Sequence, residues 1–196
     1  MKDIDQFSSQ RAADRLEIQH RVYQFFRGVD RLDFDAVREC YHPDAYDDHG
    51  AYKGGVDGFI AWLKNRHTTI PFSFHQIGNI YIEFASDSEA LCESYGMTLQ
   101  SVSPQANVLE QTDRDAATFD MLAAGRYVDL FTRRDGAWRI QRRTTIPEAA
   151  YRMPGENAGK VTFGAEFTKG TRDFADPSQL LRKQLGLLAN SNGNSR

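Results

Sequence analysis

Residues 123–146, "AAGRYVDLFTRRDGAWRIQRRTTI", decide the fold class. Two runs rich in β-branched and aromatic residues flank "RRDG". An Asp-Gly pair between such runs is the chemistry of a tight hairpin, whose central residues need positive φ. The predicted unit is two antiparallel strands. Upstream, "FSFHQIGNIYIEF" (72–84) and "EALCESYGMTLQSV" (89–102) have the same strand-like character, so these strands follow one another as a meander.

The N-terminal third has a different period. Residues 9–32 carry Leu16, Ile18, Val22, Tyr23, Phe25, Phe26 and Val29 at helical spacing, with Ser8 or Ser9 as N-cap and an end near Asp30. A short helix is predicted at "DFDAVRECY" (33–41), broken by Pro43. A strand follows in "YDDHGAYKG" (46–54), which enters a turn at Gly54-Gly55, and a third helix fits "VDGFIAWLKNRHTT" (56–69). Helices first and a run of strands after them predict an α+β domain, with helices on one face of a curved antiparallel sheet. Residues 103–120 are polar and read as an extended excursion between strands. We divide the chain into a domain at 1–150 and a C-terminal extension at 151–196, with one short helix at 177–188 and a disordered end.

Composition excludes several function classes. The 24 basic and 27 acidic residues give a formal net charge of −3, and no stretch concentrates cations as a phosphate-tracking surface does, so no nucleic-acid partner is expected. The two cysteines, Cys40 and Cys92, lack CxxC spacing, which predicts neither a disulfide framework nor a cysteine zinc site. The N-terminus is polar, and no apolar run is long enough to cross a bilayer. A cytoplasmic protein without a membrane partner is the expectation.

His75 stands inside an otherwise apolar strand, either as a packed histidine with a hydrogen bond or as a base in a dry site. "YHPDAYDDHG" (41–50) offers a rival chemistry, since His42, Asp44, Asp47, Asp48 and His49 are all metal-ligand types. In a strand, however, Asp47 and Asp48 face opposite ways, and His42 precedes Pro43 outside it, so no metal is expected.

The helix ending in "GVDRLD" (28–33), then "YHPDAYDDHGAYKG" (41–54), "FHQIGNIYIEF" (74–84) and "GRYVDLFTRRDGAWRI" (125–140) with Arg143 just beyond, resembles the SnoaL-like branch of the nuclear transport factor 2 (NTF2-like) superfamily. The match is most similar to the group holding scytalone dehydratase, hexachlorocyclohexane dehydrochlorinase and bile-acid 7α-dehydratase. The resemblance implies a cone-shaped barrel, a bent sheet with helices enclosing a pocket, and chemistry without a cofactor. It also implies an Asp–His pair, which falls on Asp30 and His75, and a pocket arginine at Arg143 that stabilises a leaving group or oxyanion. Tyr127 on the neighbouring strand would point into the same cavity. Phe25 replaces the lysine or tyrosine of some relatives and joins the substrate-binding set. Tyr46 and Asp48 share one strand face and join it too if that face turns inward.

The implied activity is a cofactor-independent lyase removing water or formaldehyde from a hydrophobic, aromatic alcohol such as one derived from lignin. An isomerase or cyclase of a polycyclic substrate, or a non-catalytic small-molecule binder, is the alternative. By the same resemblance the protein assembles as a homotrimer or homodimer.

Overall fold

The computed structural model describes residues 4–103, 118–153 and 164–187. The centre of the polar excursion (104–117), the Gly/Pro-rich segment 154–163 and the terminal residues 188–196 lie outside the described residues. The chain divides into two compact units, 1–158 and 159–196.

The first unit begins with α1 (Ser9–Arg31) and α2 (Phe34–Glu39), followed by β1 (Tyr41–Asp48), β2 (Lys53–Gly55) and α3 (Val56–His67). The long strands β3 (Phe72–Phe84), β4 (Glu89–Val102), β5 (Phe119–Arg134) and β6 (Ala137–Met153) complete it. Together the strands form one bent, unclosed sheet in the order β2-β1-β6-β5-β4-β3. The α+β architecture is the expected one, although the sheet leaves β2 and β3 as edges instead of closing into a barrel.

Helix α1 starts where Ser8 accepts a hydrogen bond from the Arg11 N–H at 3.3 Å. Ile18, Val22, Phe25, Phe26 and Val29 form its buried stripe, while Leu16 and Tyr23 turn to solvent. The helix stops at Leu32, which takes the left-handed conformation (φ 57) so that the Asp33 N–H reaches the Gly28 carbonyl at 2.8 Å. Phe59, Ile60 and Leu63 of α3 meet the α1 stripe and the sheet residues Phe84, Phe131, Trp138 and Ile140 in the main core.

The β5–β6 turn is the predicted hairpin: Asp135 and Gly136 both have positive φ, 51 and 81, and Arg134 pairs with Ala137. Three strand boundaries differ from expectation. β1 begins at Tyr41 and runs through Pro43, because a bulge absorbs the proline: five steps from Tyr41 to Tyr46 oppose two from Ile140 to Arg142 on parallel β6. His42 therefore lies in the strand. β6 continues past Pro147, which sits at another bulge beyond the stretch paired with β1, where its missing N–H has no ladder partner to lose. β5 starts at Phe119, so the excursion is shorter at its C-terminal end, and Phe119 packs with Ile70, Val102 and Met121 in a second small core.

In the second unit α4 (Pro177–Gln184) has Asp176 as its N-cap and Pro177 in its first turn. It ends before the predicted residue 188, because Gly186 (φ 68) closes it.

Gly28 permits the α1–α2 turn. A Cβ there would stand 2.6 Å from Val37 Cγ2 and 2.9 Å from the Asp33 carbonyl oxygen, and the second is backbone that cannot rotate away. Gly28→Ala is therefore expected to lower stability by about 1–3 kcal/mol through overpacking, although alanine is the better helix former by roughly 1 kcal/mol. A urea midpoint at or above wild type would refute this.

Candidate active site

Asp30 sits in the last turn of α1, where a carboxylate is mildly unfavourable against the helix dipole. The edge strand β3 compensates. Ser73 Oγ donates to Asp30 Oδ1 at 2.9 Å, the His75 backbone N–H donates to Oδ2 at 2.8 Å, and His75 Nδ1 lies 2.7 Å from Oδ1. Both side chains are nearly buried, His75 at 9% exposure and Asp30 at 10%. Behind them, Gln100 donates to Ser73 Oγ at 3.0 Å, and Arg66 donates to Gln100 at 3.3 Å. The carboxylate can only accept, so Nδ1 carries its proton and Nε2 holds the free lone pair. No hydrogen-bond partner faces Nε2 among the described residues.

Burial alone would raise the Asp30 carboxyl. The bonds and charge of the His75 ring, its backbone N–H and Ser73 outweigh that and hold it below the usual carboxylate range. The imidazole rests on Phe26 (ring centroids 5.3 Å), and Phe26 meets Tyr127 edge-on at 4.8 Å. Burial pushes the Tyr127 phenol up to about 12, so it stays a neutral donor at physiological pH.

Arg143 is fully buried on β6. Its Nε–H and Nη2–H donate to the two carboxylate oxygens of Asp129 on β5 at 2.8 and 2.7 Å. Burial works against its charge, but the Asp129 carboxylate prevails and holds the guanidinium firmly protonated. It lies over the rings of Phe25 (4.1 Å) and Tyr127 (5.1 Å), so it borders the same aromatic group while most of its hydrogen bonding goes to Asp129. Asp129 escaped the sequence reading. The hairpin register pairs it with Arg143, and its parity with Tyr127 and Phe131 put a carboxylate on an apolar face.

β1 corrects part of the expected site. Tyr46 is 40% exposed beneath Arg142 on the outer face, and Asp48 shares that face, paired with Lys53 at 2.9 Å and bonded by the Gly50 N–H. The inward positions are instead Tyr41, Ala45 and Asp47, a parity that the assumed break at Pro43 concealed. Tyr41 donates to Asp47 Oδ2 at 2.6 Å, and His49 Nδ1 bonds Asp47 Oδ1. The ligand-type cluster is thereby dispersed: His42 Nε2 meets the Thr132 carbonyl and Asp44 pairs with Arg134. Among the described residues no three His, Cys, Asp or Glu side chains converge to hold a metal.

A family model described as a SnoaL-like domain matches residues 10–144. The Mycobacterium tuberculosis protein Rv2910c and the Mycobacterium bovis protein Mb2934c, both uncharacterized, are each 30% identical over 148 residues, covering 72% of this chain and 90% of theirs. Among solved structures, a hexachlorocyclohexane dehydrochlorinase from Novosphingobium barchaimii is similar with a TM-score of 0.64 and 19% identity, covering 74% of this chain and 94% of that one. A Novosphingobium aromaticivorans protein described as a scytalone dehydratase gives 0.62 and 17%, covering 76% and 94%. At these identities the structural likeness concerns the fold. No helix among the described residues is long and apolar enough to cross a membrane.

The lowered Asp30 carboxyl fixes a sign. Its contribution to stability is present above the unfolded value of about 3.9 and is lost as pH falls through the lower folded value. Asp30→Asn should thus be less stable than wild type in urea melts at neutral pH, with the gap narrowing below about pH 4. A gap that does not change with pH would contradict the assignment.

Proposed function

Because the chain belongs to the SnoaL-like family, of the NTF2-like superfamily, we propose that it is a cofactor-independent lyase in which the Asp30–His75 pair is the general base. The observation that carries this reading is the 2.7 Å contact between Asp30 and His75 Nδ1, which leaves Nε2 beside aromatic rings and without a partner among the described residues. A histidine merely satisfied in a core would not need a buried carboxylate held by Ser73 and its own backbone N–H.

In the proposed step for loss of water His75 Nε2 takes a proton from carbon, and Asp30 offsets the imidazolium charge. The C–H electron pair becomes the new double bond while the neighbouring C–O bond breaks. For loss of formaldehyde the same base takes the hydroxymethyl O–H proton, the C–O bond becomes the carbonyl and the C–C bond breaks, its pair passing to the substrate carbon. Tyr127 donates a hydrogen bond to the substrate. Arg143 acts as a buried positive charge beneath Phe25 and Tyr127, favouring negative charge on the departing oxygen.

The rings of Phe25, Phe26, Phe59, Trp62 and Tyr127 support a hydrophobic, aromatic alcohol as substrate, losing water or formaldehyde in the catabolism of aromatic compounds in the cytoplasm. The names of the two solved neighbours, a dehydrochlorinase and a scytalone dehydratase, support elimination as the reaction type. The outer face of β3 and β4, with exposed Phe74, Tyr81, Tyr95 and Met97, supports assembly as a homotrimer or homodimer. A non-catalytic binder would have no use for the pair.

His75→Ala should lower turnover roughly a hundredfold to ten-thousandfold, and Asp30→Asn comparably. The double variant should cost far less than the product of the two, because neither member works alone. Turnover should also survive dialysis against a chelator. Folded His75→Ala with wild-type activity would end the reading.

A further inference from the structure

A second histidine–carboxylate pair borders the same aromatic group, and the base assignment leaves it without a task. The Asp47 side chain is completely buried and accepts from both Tyr41 and His49, while the His49 side chain is 15% exposed. Its Nδ1 is committed to Asp47, and no hydrogen-bond partner faces its Nε2 among the described residues. The His49 ring lies 4.7 Å from Phe59, 6.1 Å from Trp62 and 6.0 Å from Tyr127. Tyr127 in turn meets Phe26, on which His75 rests. The two imidazoles thus border one aromatic lining from opposite strands, His49 from the end of β1 and His75 from β3, each with an outer nitrogen that meets no partner among the described residues.

A purely structural origin explains this poorly. Burying a carboxylate costs several kcal/mol before its bonds are counted, a cost that an apolar residue at position 47 would not carry. A carboxylate there has a use if His49 must carry a positive charge next to a hydrophobic substrate.

We propose that His49 is the general acid of the reaction, donating its Nε2 proton to a departing hydroxyl, so that the leaving group is water. This rests on the reading of His75 as base. The step balances: His75 takes a proton from carbon, the C–H pair forms the double bond, the C–O pair stays with oxygen, and the His49 proton completes water. The net reaction is loss of water from the substrate, and solvent exchange returns both imidazoles to their starting forms. Hydroxide is too poor a leaving group to depart unprotonated, whereas halide or carboxylate needs no proton. A built-in acid therefore assigns the site to alcohols. Asp47 is a positioning residue: it accepts from Nδ1–H, orients the ring and stabilises the imidazolium, whose second proton, on Nε2, is the acidic one.

The test uses two probes that share one carbon skeleton. The aldol of benzaldehyde and acetone loses water, and its acetate ester loses acetate, both giving benzylideneacetone, whose absorbance is followed. The variant is His49→Gln, whose amide can still donate to Asp47. Expected is a loss of about a hundredfold or more in kcat for the alcohol, with acetate release falling less than about tenfold, while His75→Ala loses both. Acetate turnover in His49→Gln reports a folded site within the same assay. Equal losses on both probes, no loss on either, or the alcohol-selective loss appearing in Tyr127→Phe instead would overturn the assignment and leave His75 as base. Wild-type protein that turns over neither probe would remove the lyase reading itself, and this inference with it.

Discussion

The carboxylate of Asp30 joins the two halves of the fold. It stands at the end of α1, where the helix dipole repels it, and next to β3, an edge strand whose outward N–H groups have no neighbouring strand. Each defect answers the other. The His75 N–H that would lie unpaired on the edge is bound by the carboxylate, and the carboxylate gains donors strong enough to stay ionised while buried. Helix position, edge protection and the orientation of one imidazole thus follow from a single side chain.

The interior facing this pair is built on the same rule. Asp47 and Asp129 are fully buried, and each is matched by donors, Asp129 by the fork of Arg143 and Asp47 by a phenol and an imidazole. Such matching lets an aromatic core contain charge. The three carboxylates are not interchangeable, however. Asp129 faces a guanidinium that cannot release a proton, so the two form a fixed ion pair, whereas Asp30 and Asp47 face imidazoles that can exchange one.

Most of what positions the site was legible in the sequence. The Asp135-Gly136 turn, the helical spacing of Ile18 to Val29 and the break at residues 32–33 each have a local physical cause, and local causes can be read from local sequence. Asp30 and His75 came from the resemblance, and the structure places them in contact. The illegible parts were set by distant chain. Pro43 looked like a terminator and the last strand was read only to residue 146, before Pro147, but bulges at those points leave a proline no ladder bond to lose, and a bulge depends on the partner strand. The sequence reading named Asp47 and His49 only as metal-ligand types, and their inward pairing was missed while the substrate-facing places went to Tyr46 and Asp48. Asp129 was readable only by folding the hairpin in register and asking what stands opposite Arg143.

The parallel pairing of β1 with β6 has a consequence for how the protein is made. β1 leaves the ribosome early, yet apart from the short strand β2 its sheet neighbour is β6, the last strand of the meander. Closing so long a loop is slow, and it cannot begin until Arg143 has been synthesised. Until then Asp47 has no finished interior around it, and neither does the strand that carries it. The emerging chain can form helices and even the β3–β4 hairpin, but it passes through most of its synthesis without the β1–β6 pairing. Asp47 and Arg143, partners in the finished sheet, therefore stay apart through most of synthesis and meet in one late strand insertion.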